Sequence, residues 1–207
     1  MEEKEKEIMK KADETESFAS LLLMGGKSSR MGRSKALLTL EGKTFFERIT
    51  DEMKKEGPVY ISVDLAEHVP SCPYHIIEDE LQEYGPLGGI LSSFRQIRED
   101  VIFLCACDMP FMTAEHIRYM KSLFQPEDEV LLVRAADGRI HMMGGLYRLS
   151  FLPALEQFVA EGNHRFRDLL KDLRVHILTE EELGERMSVY RNVNTPEEYE
   201  ALLHHVS

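Results

Sequence analysis

The sequence of 207 residues has no tryptophan, few cysteines and no hydrophobic run long enough to cross a membrane. Its three cysteines, Cys72, Cys105 and Cys107, form an odd number without a Cys-x-x-Cys pair. Neither a disulfide framework nor a four-ligand zinc site is therefore encoded. Cys105 and Cys107 are better interpreted as small core residues than as a metal or redox pair. This cysteine usage suits a reducing cytoplasm, which is the expected location.

Positive charge is also scarce, with 25 Lys and Arg residues against 37 Asp and Glu and a net charge of −12. Such an acidic surface repels polyanions, so we expect neither a nucleic acid nor an anionic membrane as a partner. An anionic ligand must then be bound by a local basic pocket. The eight histidines lack the spacing of metal ligands, and only His141, just after a predicted hairpin turn, is a candidate site residue.

The length fits one domain, which we predict over residues 18–207. Residues 1–17 alternate Glu and Lys and lack the apolar stretch of a secretory signal. They form a charged arm that is expected to be disordered or loosely helical. No internal repeat and no linker rich in Pro, Gly or Ser divides the rest of the chain.

Short hydrophobic runs alternate with segments of helical periodicity along the chain. The predicted strands are Phe18–Met24, Val59–Val63, His75–Ile77, Val101–Ala106, Val130–Ala135, Ile140–Arg148 and Val175–Leu178. The predicted helices are Thr44–Lys55, Gly88–Arg98, Thr113–Phe124, Ser150–Ala160, Arg165–Leu173 and, after a capping box at Asn194–Glu198, Tyr199–His204. This alternation predicts a Rossmann-like three-layer α/β sandwich with a mostly parallel sheet. The Asp137-Gly138 turn predicts a small antiparallel hairpin excursion, a place where a second substrate is often held.

A basic, glycine-containing loop follows the first predicted strand, from Gly25 to Lys35. The spacing of Gly25, Gly26 and Gly32 matches neither a dinucleotide-binding loop nor a P-loop, so hydride transfer and P-loop ATPase chemistry are disfavoured. Glycines nevertheless let backbone N–H groups approach phosphate oxygens, and the loop adds hydroxyls and four cations. A solvated surface loop is the alternative. Its position at the carboxyl end of a parallel strand favours a triphosphate site.

A second candidate is Asp108, which follows the buried run Val101–Ala106 and emerges at the same edge of the predicted sheet. A carboxylate beside a triphosphate is the hard oxygen ligand that Mg²⁺ requires. Taken alone, Asp108 is equally well explained as a turn residue before Pro110. Together with the basic loop, it predicts a magnesium site.

Four separated motifs between Leu23 and Glu198 carry a family resemblance. They are Leu23-Met24-Gly25-Gly26 through Arg30-Met31-Gly32 to Lys35, Glu78-Asp79 with Gly85-Pro86-Leu87-Gly88-Gly89, Cys107-Asp108-Met109-Pro110, and Asn192-Val193-Asn194-Thr195-Pro196-Glu197. In these residues the chain resembles the molybdenum cofactor guanylyltransferases (MobA type) of the nucleotidyltransferase superfamily. The first and third motifs are shared with cytidylyl- and sugar nucleotidyltransferases, whereas the other two are more typical of the guanylyltransferases. The chain departs from the family pattern at Met24, where alanine is usual, and at His141-Met142.

The resemblance implies roles for individual residues. Asp108 would bind Mg²⁺, Lys35 and Arg30 would stabilise the phosphates, and Asp79 would touch the guanosine. Asn194 and His141 are candidates for positions near the metal or the acceptor. The nucleotide-binding set is Leu23, Met24, Gly25, Gly26, Gly32, Lys35, Asp79 and Asp108.

The implied reaction is the magnesium-dependent transfer of GMP from GTP to the phosphate of molybdopterin (molybdenum cofactor), with release of pyrophosphate. The implied partners are GTP, molybdopterin and, as candidates, other cofactor-biosynthesis proteins and molybdoenzymes. Two alternatives stay open. One is the same chemistry with another nucleotide or acceptor, such as CTP with molybdopterin or a sugar phosphate. The other is a module that binds GTP without turnover.

Overall fold

The seven predicted hydrophobic runs all form strands in the computed structural model, which describes residues 16–24, 35–65 and 69–206, and two short strands bring the number in those residues to nine. The strands are β1 (Phe18–Leu23), β2 (Thr39–Leu40), β3 (Lys43–Thr44), β4 (Val59–Val63), β5 (His75–Glu78), β6 (Val101–Ala106), β7 (Val130–Arg134), β8 (Ile140–Arg148) and β9 (Val175–Thr179). The α-helices are α1 (Phe45–Met53), α2 (Pro86–Phe94), α3 (Ala114–Leu123), α4 (Leu152–Ala160), α5 (Phe166–Leu169), α6 (Glu180–Leu183) and α7 (Pro196–Val206).

Seven strands form one sheet in the order β5-β4-β1-β6-β8-β7-β9, and β2 pairs with β3 in a separate antiparallel sheet. Every pairing among β5, β4, β1 and β6 is parallel, as is that of β7 with β9. Strand β8 is antiparallel to both of its neighbours, β6 and β7. The mostly parallel sheet and the antiparallel hairpin are confirmed, and the hairpin β7–β8 is built into the main sheet. Because β8 runs in reverse, it begins at the edge where the other strands end.

Side chains from both faces of the sheet are buried, which makes the fold a three-layer sandwich. Leu22 and Phe103 point to a core that includes residues of α1 and α3. Leu21 and Leu104 point to the opposite core, which includes residues of α2 and α4. Adjacent residues of β1 thus enter different cores, which explains why this strand has no polar side in the sequence.

Several helices start where the capping residues in the sequence predicted. The side chain of Thr113 accepts a hydrogen bond from the backbone N–H of His116, which caps α3. At α7 the N–H of Glu198 donates to Thr195, and the Glu198 carboxylate accepts from the N–H of Thr195, as in a capping box. Helix α2 begins at Pro86 and not at Gly88, because proline is well suited to the first helical turn.

Other boundaries differ from the prediction. The predicted helix Arg165–Leu173 contains the four-residue α5 followed by a 3-10 turn at Leu170–Asp172. Helix α6 and the following 3-10 segment Gly184–Tyr190 were not predicted. The β2–β3 hairpin was also missed, since its turn places Glu41 at a positive φ of 51°, which the sequence does not signal.

Two residues of the predicted arm are described, and both contact the folded domain. The backbone N–H and the hydroxyl of Ser17 donate to Oδ2 of Asp100 at 2.9 and 2.7 Å. Glu16 forms an ion pair with Arg148. Residues 1–15, which carry most of the predicted arm, lie outside the described residues. Within the described ranges, no helix has both the length and the hydrophobicity needed to span a membrane.

Candidate active site

The carboxyl ends of the parallel strands bring distant polar residues to one edge of the sheet. Leu23 ends β1, Asp79 directly follows β5, and Asp108 is the second residue after β6. Strands β1 and β6 pair in register from Phe18↔Val101 to Leu23↔Ala106. The N–H of Cys107 extends this contact by donating to the carbonyl oxygen of Leu23 at 3.2 Å. Asp108 therefore leaves the sheet about one strand spacing, roughly 5 Å, from the end of β1.

Asp108, Lys35 and Asn194 form a cluster at this edge. The Lys35 ammonium donates to Oδ1 of Asn194 at 2.7 Å and lies 3.8 Å from Oδ2 of Asp108. The N–H of Val193 donates to the Asp108 carbonyl at 2.9 Å, which fixes the segment that carries Asn194. Asp108 and Asn194 thus both lie close to the ammonium group of Lys35, although Asn194 is 159 positions away from Lys35 in the sequence. We refer to these three residues as the Lys35 cluster.

The carboxylate of Asp108 is poorly solvated. Its side chain is 20% exposed, and its Oδ1 is buried with no hydrogen-bond partner among the described residues. Burial raises the pKa of Asp108, while the positive charge of Lys35 acts in the opposite direction. A buried carboxylate oxygen without a hydrogen-bond partner is uncommon, and a bound cation would satisfy it. A hard cation fits this oxygen, because carboxylates are the ligands that Mg²⁺ prefers.

A pocket of about 360 Å³ opens at the ends of β1, β4 and β5, which lie next to β6 in the sheet. We call it the first pocket, and its lining includes Leu23, Ser62, Asp64, Asp79, Gln82 and Gly89. The Gln82 side-chain amide donates to the Asp64 carbonyl oxygen at 2.9 Å, which ties together two sides of the pocket. Its acidic lining suits hydrogen-bond donors better than phosphate groups.

Asp79 is held in the first pocket by its own loop. Oδ1 accepts hydrogen bonds from the N–H of Leu81 at 2.8 Å and from the hydroxyl of Ser92 at 3.4 Å. Among the described residues, Oδ2 accepts no hydrogen bond. Burial raises the pKa of Asp79, and the Leu81 N–H partly offsets that effect. Donors on a ligand would stabilise the ionised carboxylate through Oδ2.

The glycines that follow Asp79 have a steric role. A Cβ atom on Gly88 would lie 2.9 Å from Oδ1 of Asp79 and would also collide with the Leu81 carbonyl. A Cβ atom on Gly89 would lie 2.7 Å from the Ser62 hydroxyl. Helix α2 can therefore approach the Asp79 loop only because its first turn has two glycines.

A second pocket, of about 390 Å³, lies at the opposite end of the same edge. Its lining includes Asp137, Arg139, His141, Glu180, Tyr190 and Arg191. The ring of His141 lies 4.8 Å from that of Tyr190, and its Nε2 is buried without a hydrogen-bond partner among the described residues. Burial lowers the pKa of His141, and Arg139 lowers it further. His141 is thus favoured in its neutral form.

The family model of the MobA-like NTP transferase domain matches residues 20–178, which contain Lys35, Asp79 and Asp108. A probable molybdenum cofactor guanylyltransferase of Carboxydothermus hydrogenoformans is 31% identical over 185 residues, covering 88% of this chain and 93% of the relative. The chain belongs to the MobA-like NTP transferase family. It is a nucleotidyltransferase, as the motifs predicted.

Solved structures give the same fold for this MobA-like transferase. Molybdopterin-guanine dinucleotide biosynthesis protein A from Archaeoglobus fulgidus has a TM-score of 0.77 at 21% identity, covering 90% of this chain and 97% of that one. A 2-C-methyl-D-erythritol 4-phosphate cytidylyltransferase from Thermus thermophilus has a TM-score of 0.68 at 12% identity, covering 91% and 98%. At these identities the likeness shows the fold alone.

The candidate residues of this MobA-like transferase divide into three groups. Lys35, Asp108 and Asn194 form one cluster, Leu23 and Asp79 line the first pocket, and His141 lines the second. Met24 is partly buried next to Leu23, where its N–H donates to the Ser62 carbonyl at 2.8 Å. The remaining candidates lie outside the described residues and stay predictions: Gly25, Gly26, Arg30 and Gly32.

Sequence reasoning missed two groups of pocket residues in this transferase. Ser62 and Gln82 line the first pocket, but a serine within a strand and a glutamine in a 3-10 turn give no chemical signal. Tyr190 lines the second pocket from the unpredicted 3-10 segment. A metal cluster of three or more His, Cys, Asp or Glu side chains is not found among the described residues.

Proposed function

We propose that this protein transfers GMP from GTP to the phosphate of molybdopterin in a magnesium-dependent reaction. The observation that carries the proposal is the Lys35 cluster, in which a lysine and a poorly solvated aspartate stand beside a pocket for a nucleoside. The names of the relatives support the choice of guanine and of the molybdenum cofactor as acceptor.

The first pocket would hold guanosine. Guanine presents two adjacent N–H donors, from N1 and the 2-amino group, and one carboxylate accepts both. Asp79 offers this carboxylate, with Oδ1 fixed by the loop and Oδ2 accepting no hydrogen bond among the described residues. Cytosine has a single amino donor on its pairing edge next to a ring acceptor, which a carboxylate repels. The pocket chemistry therefore favours GTP over CTP.

The triphosphate would extend from the first pocket to the Lys35 cluster. An ionised phosphate oxygen of the acceptor attacks the α-phosphorus in line, forming the new P–O bond. The bond between the α-phosphorus and its bridging oxygen to the β-phosphate then breaks, and pyrophosphate leaves. No general base is needed, because the acceptor phosphate is already ionised at neutral pH. The protein contributes position and charge and forms no covalent intermediate.

Individual residues have distinct parts in this proposal. Lys35 would stabilise charge on the phosphates, with Arg30 and Lys27 of the adjacent loop as further candidates. Asn194 holds the Lys35 ammonium at 2.7 Å and so sets its direction. Asp108 would hold Mg²⁺, and its buried, unpartnered Oδ1 fits that part. Magnesium, when bound, would neutralise phosphate charge and make the α-phosphorus more electrophilic.

The test is a product assay with purified enzyme, molybdopterin and each of GTP, CTP, ATP and UTP at the same magnesium concentration. We expect the guanine dinucleotide product, identified by mass, together with one equivalent of pyrophosphate. A sugar phosphate in place of molybdopterin serves as the acceptor control. A preference for CTP, or transfer only to the sugar phosphate, would contradict the proposal, and binding of GTP without pyrophosphate release would indicate a non-catalytic module.

A further inference from the structure

The segment that carries Lys35 is tied to helix α7 at two points. At the first, the Lys35 ammonium donates to Oδ1 of Asn194, which lies two residues before the start of α7. At the second, the Tyr199 hydroxyl donates to the carbonyl oxygen of Thr39 at 2.7 Å and accepts from the Thr39 N–H at 3.2 Å. Thr39 begins β2, shortly after Lys35, so both contacts act on one stretch of chain.

Apolar packing also holds α7 against this stretch. A buried cluster takes residues from both sides of the contact: Leu38, Leu40, Phe45, Val193 and Leu202. The rings of Phe45 and Tyr199 lie edge to face, with their centres 6.0 Å apart. Such contacts bring the two segments together but are not directional. The direction of the Lys35 ammonium therefore depends on the hydrogen bonds.

The position of Asn194 depends in turn on Glu198, in the first turn of α7. Oε2 of Glu198 accepts from the backbone N–H of Asn194 at 2.6 Å and from that of Thr195 at 3.2 Å. The N–H of Glu198 donates back to the Thr195 hydroxyl at 3.2 Å. On the other side, the hydrogen bond from Val193 to the Asp108 carbonyl holds the preceding residue. The backbone of Asn194 is thus fixed from both directions.

The same type of cap occurs at α6, where it has no such connection. Oε2 of Glu182 accepts from the N–H of Thr179 at 2.7 Å, and the N–H of Glu182 donates to the Thr179 hydroxyl at 3.3 Å. Helix α6 follows β9, which lies three strands from β6 in the sheet. Both caps stabilise the helix that they begin. The cap of α7 differs because its carboxylate also holds the residue that binds Lys35.

We infer that α7 is the element that directs Lys35 toward the phosphates, with Glu198 and Tyr199 as positioning residues. Glu198 holds Asn194, Asn194 holds the ammonium, and Tyr199 holds the segment that follows Lys35. A charge placed about 1 Å away from its productive position loses much of its effect on a substrate. This inference rests on the proposed function, since it takes Lys35 to bind the triphosphate. It predicts that the effect of Glu198 disappears when Lys35 is absent.

Calorimetry with GTP and with guanosine, without metal or acceptor, tests the inference. For Glu198→Ala we expect the affinity for GTP to fall about tenfold and that for guanosine to change less than about twofold, because only the phosphates meet Lys35. Glu198→Gln keeps an oxygen that accepts both N–H groups and removes the charge, so it should bind GTP as the wild type does. Tyr199→Phe removes only the hydroxyl and should weaken GTP binding by less than Glu198→Ala.

Glu182→Ala is the matched control. It removes the same type of cap and should lower the thermal midpoint, as Glu198→Ala does, but should leave GTP binding unchanged. A double-mutant cycle then shows whether Glu198 acts through Lys35: in the Lys35→Ala background, Glu198→Ala should cause no further loss of GTP affinity. Additive losses, equal losses for GTP and guanosine, or a Glu198→Gln variant as weak as Glu198→Ala would each overturn the inference.

These measurements also separate the inference from the proposed function. Binding requires neither molybdopterin nor transfer, so the expected cycle supports the positioning role even when no GMP transfer occurs. If the wild-type enzyme transfers GMP but Glu198→Ala binds GTP as tightly as the wild type, the positioning role is refuted and the proposed function stands. Wild-type GTP affinity in Lys35→Ala would refute the positioning role as well.

Discussion

Replacing Asp108 with asparagine separates catalysis from folding at this site. The change keeps the size and shape of the side chain but removes the charge that we propose to hold Mg²⁺. The Lys35 ammonium lies 3.8 Å away and cannot take over that part, because it is itself a cation. Loss of one preorganised charge of this kind costs 10²-fold or more in rate, or about 2.7 kcal/mol in transition-state stabilisation. We therefore expect Asp108→Asn to lose nearly all GMP transfer.

The same substitution should not weaken the fold. Burial raises the pKa of Asp108, so the folded state favours the protonated acid. Stability linked to this group is present at low pH and declines as the pH rises past the ordinary pKa of aspartate. At pH 7 the ionised carboxylate is therefore a destabilising group, which asparagine relieves, although the attraction to Lys35 is lost. The thermal midpoint of Asp108→Asn should equal or exceed that of the wild type.

The assay measures transfer at matched magnesium, metal-free GTP binding by calorimetry, and thermal unfolding at pH 7. Asp172→Asn is the control, because Asp172 is an exposed carboxylate in the 3-10 turn after α5. If Asp108→Asn transfers GMP at close to the wild-type rate, Asp108 is only a turn residue. The metal site would then have to be sought at Asn194 and Asp79.

Four further predictions use other parts of the molecule. Lys35→Ala should weaken GTP binding by about 1.5–3 kcal/mol and leave guanosine binding unchanged in calorimetry. Equal losses of binding free energy for GTP and guanosine would show that Lys35 does not bind the phosphates. Asp79→Asn should lower the preference for GTP over CTP in a competition assay, whereas an unchanged ratio would place base selection elsewhere. Burial lowers the pKa of His116 to about 4, so the free energy of unfolding should fall by about 3 kcal/mol between pH 6.5 and 4, and His116→Gln should abolish most of that slope in denaturant titrations. Removal of Met1–Glu16 should leave fold and activity intact, and a truncated chain that fails to fold would refute the independence of the arm.

Periodicity predicted the main sheet well, because its strands are hydrophobic on both faces. The run Val101–Ala106 contains no charged residue and was placed with exact ends. Carboxyl-edge geometry then predicted that Asp108 would meet the end of β1, as the Cys107–Leu23 hydrogen bond shows. These predictions hold since one force, burial of apolar side chains between two helix layers, determines them.

The rest of the site depends on contacts between distant segments. Tyr190 reaches the second pocket from a 3-10 segment whose sequence has no helical periodicity. A bulge in β8, opposite Leu132 of β7, arises because Gly144 and Gly145 permit close approach: a Cβ atom on Gly145 would lie 2.7 Å from the Leu131 carbonyl. Two glycines within a strand pattern do indicate a bulge or a close approach, but not which side chain fills the space.

The reversed direction of β8 has a consequence for how such enzymes diversify. Strand β8 starts at the edge of the sheet where its neighbours β6 and β7 end. The loop of residues 135–139 therefore lies at the edge that also carries Asp79 and Asp108, and both of its ends are held in the sheet. The loop is joined to β1, β4 and β5 only through β6 and β8. A change in the length or sequence of this hairpin would therefore alter this end of the edge and leave in place the strands that line the first pocket. The two pockets are thus structurally separable parts of a single sheet.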